Sequence, residues 1–141
     1  MDLGAIWRVW LPLLLGAWAL WWLATSEAGT NGPLRWVGLA LGVIGLGGVI
    51  IARYTLGRSF TVTAQARQLV TTGIYSRIRN PIYIFAEVLL IGIAIMVGKP
   101  ILIVLLVVVI PVQVVRARRE ARVLEEKFGE EYREYRRRTW F

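Results

Sequence analysis

Four long apolar runs dominate this sequence, and their length limits what it can fold into. They cover approximately residues 3–24, 34–52, 81–97 and 100–115. A soluble core in a chain of 141 residues cannot hide so many consecutive apolar side chains, so the runs read as membrane spans in a single domain. The first run is longer than a signal-peptide core of roughly 7–15 residues, and no convincing small-x-small cleavage site follows it. It reads as a retained spanning helix, with Trp7 and Trp10 near one end and Trp21 and Trp22 near the other as interfacial belts. A polar turn at residues 26–33 leads into the second span, which begins near Trp36. The third and fourth runs are each about 16 residues, roughly 24 Å as helices against a hydrocarbon core of roughly 30 Å. They are expected to form a tight hairpin joined by Gly98 and Lys99, each opened by a proline, with Pro111 bending the last helix.

The expected fold is therefore an all-α integral membrane protein. Residues 1–52 give two full spans, 53–80 a loop, 81–115 a short helical hairpin and 116–141 an amphipathic tail helix. In the tail, Ala117, Ala121, Leu124, Phe128, Tyr132 and Tyr135 recur at helical spacing as one apolar stripe, and Gly129 is a candidate break. Of 17 Lys and Arg residues, the loop carries Arg53, Arg58, Arg67, Arg77 and Arg79, and the tail carries nine. The turn at 26–33 carries none. By the positive-inside rule, loop, tail and both termini are expected on the cytoplasmic side, where loop and tail can build one site.

The chain has neither Cys nor His. That excludes disulfides, thiolate catalysis, the Ser-His-Asp triad and His- or Cys-ligated metals. Chemistry here must use Arg, Glu, Tyr, Asn and backbone groups, or a cofactor with its own reactivity. Gly38, Gly42 and Gly45 form a small-residue face suited to close helix packing, within the molecule or between copies. Glu87 lies inside an apolar run, where a carboxylate is costly. It is a candidate functional group, or a side chain that reaches the interface or pairs with an Arg.

The most specified stretch is Leu69-Val70-Thr71-Thr72-Gly73-Ile74-Tyr75, followed by Arg79-Asn80-Pro81-Ile82-Tyr83. Pro81 presets a helix start. That N-terminus and Arg79 favour an anionic group, while Tyr75 and Tyr83 offer flat faces to an aromatic base or a cation. These motifs, with Arg116, Glu120, Leu124, Phe128-Gly129 and Tyr132-x-x-Tyr135 in order after the hairpin, resemble the integral-membrane isoprenylcysteine carboxyl methyltransferase and phospholipid methyltransferase superfamily. Leu56-Gly57-Arg58-Ser59 is similar to that family's approach to the loop, and the resemblance covers about residues 56–138. Asn80 stands where the family often has His, so an acid–base role is not expected there, although cofactor positioning is. Ala121 replaces the second Glu of a family pair whose first member is Glu120.

The resemblance implies a methyltransferase using S-adenosylmethionine, held by Arg67, Gln68, Leu69, Val70, Tyr75, Asn80, Pro81, Ile82, Tyr83 and Glu120. It implies that Arg116 faces the acceptor and that Arg116 and Glu120 form the catalytic pair, four residues apart on one helix face. The expected partners are the bilayer and a lipidic or prenylated small molecule, foremost a prenylated cysteine carboxylate, and no nucleic acid. A phospholipid amine and a small thiol stay open as acceptors. Other readings are a small four-helix transporter of cationic compounds using Glu87, a non-catalytic membrane adaptor and, more distantly, a membrane reductase.

Overall fold

A computed structural model describes residues 3–27, 29–57 and 69–141. The described residues form five α-helices: α1 (Leu3–Thr25), α2 (Pro33–Leu56), α3 (Pro81–Val97), α4 (Pro100–Phe128) and α5 (Glu130–Arg138). A 3-10 turn, Gly73–Ser76, precedes α3. Among them, α2 is the helix long and apolar enough to cross a bilayer. The apolar helix α3 is shorter, so of the four expected membrane segments the one at α2 is shown in full. The outer faces of α1, α2 and α4 are nevertheless apolar and exposed, as at Leu14, Trp18, Val43, Ile51, Val104 and Val108.

Proline at the first turn opens α2, α3 and α4, where the missing N–H costs no hydrogen bond. The dominant packing is α2 against α3. It depends on glycine: a Cβ on Gly38 would lie 2.8 Å from the Gly92 carbonyl oxygen, and one on Gly45 would lie 2.7 Å from Leu89 Cα. The small-residue face is thus an intramolecular contact in which two backbones meet without intervening side chains. Leu20, Leu23, Leu89 and Met96 form a core where α1 joins this pair. Two polar ties close the same end. Arg35 Nη2 donates to the carbonyls of Leu23 (2.6 Å), Ala24 (2.7 Å) and Ser26, so a cation caps the end of α1. Thr30 donates through its backbone N–H to Met96 O (2.8 Å) and through Oγ1 to Ile95 O (2.9 Å).

The fourth apolar run and the tail helix are one continuous 29-residue helix, α4, with Pro111 inside it. No residue near 115 breaks the helix, so the change from apolar to charged composition occurs along a single rod. The break comes at Gly129, whose φ of 52° lies in the region that favours glycine. The predicted stripe turns inward, with Ala117, Tyr132 and Tyr135 buried.

Candidate active site

The charged part of α4 faces the start of α3, and the expected residues meet there. The Tyr83 hydroxyl donates to Glu120 Oε1 at 2.5 Å. The Arg116 guanidinium carbon sits 6.0 Å from the centre of the Tyr83 ring. The four-residue spacing of Arg116 and Glu120 therefore does what helix geometry predicts, and both reach one aromatic side chain on the neighbouring helix. Pro81 is fully buried and fixes where α3 begins, while Asn80 and Ile82 beside it are half-buried.

Tyr75 lies in the 3-10 turn, which α5 holds down. Its side chain is buried, and its carbonyl accepts a 2.7 Å hydrogen bond from the Tyr135 hydroxyl. Burial pushes the Tyr75 hydroxyl well above the ordinary tyrosine range and raises Tyr135 to about 12, so both are neutral donors at physiological pH. Leu69 and Val70 are half-buried just before this turn. Arg67 and Gln68 lie outside the described residues.

The last residues of the chain complete the arrangement. Ile78 and Trp140 pair as a parallel bridge, and Trp140 N–H donates to Arg77 O at 3.1 Å. The Phe141 carbonyl oxygen accepts from the backbone N–H groups of Arg79 and Asn80, each at 3.0 Å. Two N–H groups just ahead of α3, where the sequence suggested an anion, are thus engaged by the chain itself.

Behind Tyr83 a cleft of about 440 Å³ opens between α3 and α4. Tyr83, Ile84, Glu87 and Val88 line it from α3, and Ile110, Gln113 and Val114 from α4. Trp140 and Phe141 border its end. Both carboxylate oxygens of Glu87 are buried without a hydrogen-bond partner, so among the described residues it pairs with no Arg. Sequence reasoning missed Gln113, Trp140 and Phe141. Gln113 carried a signal, as the sole amide in the run 100–115. Trp140 and Phe141 carried none, because their role depends on a pairing distant in sequence.

Among known proteins, a family model described as phospholipid methyltransferase matches residues 34–131, well over half of the chain. The match runs from α2 into α5 and contains Tyr75, Asn80, Tyr83, Arg116 and Glu120. No curated protein and no solved structure matches the chain. The extent of the family match is decisive: the chain belongs to the phospholipid methyltransferase family, whose members are membrane-associated methyltransferases.

Proposed function

We propose that this chain transfers a methyl group from S-adenosylmethionine to a membrane-partitioned acceptor, at the end of the helix bundle where α3 begins. The observation that carries the reading is the Tyr83–Glu120 hydrogen bond, 2.5 Å long, beneath Arg116 and beside an apolar cleft of about 440 Å³. A cleft of this size is in the range of small-molecule sites. The carboxylate of Glu120 and the faces of Tyr75 and Tyr83 suit a cofactor that carries hydroxyls, an ammonium and a sulfonium. Residues 67–83 are the proposed cofactor side, and the α3–α4 cleft is the acceptor side.

When bound, the cofactor supplies a methyl group on a sulfonium, and a neutral thioether leaves. No protein acid is needed for that departure, which suits a chain without His or Cys. The protein contributes alignment and a site from which water is excluded. Tyr83 belongs to both sides, since it lines the cleft and holds Glu120. Arg116 offers an acceptor oxyanion a two-pronged contact. A prenylated cysteine carboxylate fits that Arg, and the apolar lining suits a lipidic tail entering from the bilayer. A transporter reading gives Glu87 a role but leaves the Tyr83–Glu120 pair and family membership without one.

The site is proposed to face the cytoplasm, with four crossings and both termini on that side, because the loop and tail hold most of the basic residues. Cysteine labelling at exposed Asn31 and at Thr63 tests this; labelling of Asn31 from the cytoplasmic side sinks it. Calorimetric titration of S-adenosylmethionine into protein held in lipid nanodiscs tests the site. Glu120→Ala is expected to weaken binding by about 1–3 kcal/mol, the scale for losing a hydrogen bond to a charged group. Unchanged affinity removes Glu120 from the site, and absence of binding to the wild type refutes the cofactor assignment.

A further inference from the structure

The arginines at the charged end of the molecule fall into two groups. Arg133, Arg136, Arg137 and Arg138 on α5 are each ion-paired, to Glu125, Glu130 or Glu134. Arg118, Arg119 and Arg122 on α4 are exposed and make no ion pair or hydrogen bond among the described residues. At about 100° per residue, the three leave α4 within an arc of about 100°. That arc continues an exposed apolar face: Val104, Val108, Val112 and Val115 occupy the same side of the same helix. Gln113 and Glu120, which belong to the cleft and to the proposed cofactor side, point about 150–170° away from its middle. Along the axis, Arg118 to Arg122 stand about 4.5–10.5 Å beyond Val115, against a headgroup layer roughly 5–8 Å thick on each side of a bilayer. Helical side chains lean toward the N-terminus, which on α4 is the apolar end, so all three arginines lean back toward that layer. The first exposed acid on this face, Glu126, comes a further turn out, about 16 Å beyond Val115.

We propose that Arg118, Arg119 and Arg122 form a binding surface for the phosphate headgroups of anionic phospholipids, on the side of α4 turned away from the cleft. The inference stands apart from the methyl-transfer reading, and the lipid bound here is a neighbour of the helix and not the acceptor. The exposed valines place acyl chains along α4, and the lipid phosphate then lies level with the three guanidinium groups. A guanidinium meets a phosphate through two parallel N–H donors. Three cations this close repel one another, and a shared anion removes that cost. A zwitterionic headgroup brings its phosphate together with an ammonium and neutralises less of this field. The α5 arginines have no such need, because their partners are already in the chain. Glu120 lies in the same turn as the three arginines, so the lipid that fixes the depth of α4 in the bilayer also fixes the depth of Glu120.

The test uses phosphatidylglycerol and phosphatidylcholine carrying the same acyl chains, with a diazirine near the ester. Each is doped at the same low mole fraction into phosphatidylcholine nanodiscs holding the full chain, and mass spectrometry locates the crosslinks. Phosphatidylglycerol is expected to label α4 around residues 108–122 at least about tenfold more strongly, given about fivefold for each arginine at an anionic surface. Arg122→Gln alone is expected to lower that preference about two- to fivefold. The triple variant Arg118→Gln, Arg119→Gln and Arg122→Gln is expected to abolish it. Removing the same charge from α5, as Arg136→Gln, Arg137→Gln and Arg138→Gln, is expected to leave it in place. Equal labelling of the wild type by the two lipids overturns the proposal, whether or not the variants fold. A preference that survives the α4 triple variant overturns it as well, and one that the α5 variant removes as fully belongs to the net charge of the tail and not to this surface. Soluble glycerol phosphate in large excess is expected to change nothing. If it erases the preference, the three arginines bind a free anion, and the lipid assignment falls.

Discussion

Tyr135→Phe removes one oxygen atom and tests whether α5 positions the proposed cofactor stretch. The Tyr135 hydroxyl donates to the Tyr75 carbonyl at 2.7 Å, and both side chains are buried. Phenylalanine keeps the ring and leaves no cavity to collapse. What is lost is the donor, so a buried carbonyl goes unpaired at a cost of about 1–3 kcal/mol. That loss should appear locally as a roughly 5- to 150-fold rise in hydrogen exchange at the Tyr75 and Arg77 amides, which close the 3-10 turn on Thr72 and Ile74. Cofactor affinity should fall with it, because Tyr75 sits on the same turn. The bond also carries a pH signature. The Tyr135 hydroxyl is raised from 10.0 to about 12 by burial, so its contribution is complete below pH 10 and is lost as pH climbs toward 12. Tyr75 and Tyr132 are raised in the same direction, chiefly by burial, and add to that loss. Exchange in the wild type should therefore be referenced against unfolded-peptide rates from pH 6 to 9, where protection is constant. If Tyr135→Phe leaves exchange at Tyr75 and Arg77 unaltered, α5 does not anchor this turn and the reasoning fails.

Gly92→Ala should destabilise the helix pair by about 1–3 kcal/mol in detergent unfolding, since the added Cβ would lie 2.6 Å from the Gly38 carbonyl oxygen. Gly47→Ala, whose Cβ would meet nothing within 4 Å, is the matched control and should be close to neutral. Arg35→Ala should loosen the last turn of α1 by about 1–3 kcal/mol, read as faster exchange at Ser26, because three carbonyls lose one charged donor. Arg116→Ala should spare cofactor binding in the calorimeter while lowering turnover, with Arg116→Lys restoring only part of it, because an ammonium lacks the planar fork. An equal loss of cofactor binding in Arg116→Ala would instead put Arg116 on the cofactor side.

How much was legible in the sequence follows from how local each determinant is. Pro81 announces the start of α3 and Gly129 the end of α4, since each acts through its own backbone. The stripe from Ala117 to Tyr135 is read by periodicity, and Arg116 with Glu120 by helical spacing. The glycine face was visible, but its partner was not: nothing local says that Gly38 meets Gly92 rather than another copy. Four apolar runs are legible from composition, and one of them, α2, is shown to be long and apolar enough to cross a bilayer. The fourth run has no end of its own and continues as charged helix to Phe128. The cleft was illegible because its walls come from α3, α4 and the last two residues. Trp140 joins them only through pairing with Ile78.

The rigid and adjustable parts of this arrangement divide along α3. Methyl transfer in line tolerates little error in the separation of the reacting atoms, about 3–3.5 Å at the start. One side of α3 is set by backbone contact with α2 through Gly38, Gly45 and Gly92, where no side-chain rotation relieves a misfit. Its beginning is set by buried Pro81 and by Phe141, which accepts from Arg79 and Asn80. Tyr83 and Glu87 thus project from a helix fixed both laterally and at its start. By contrast, α4 meets α3 less extensively than α2 does, and the cleft lies between them. The Tyr83–Glu120 hydrogen bond ties the charged half of α4 to α3 just beyond that cleft. An acceptor that widens the cleft therefore strains this bond. On the proposed reading, the contact that places Glu120 for the cofactor also limits the bulk of the acceptor head, coupling the two proposed sides through Tyr83.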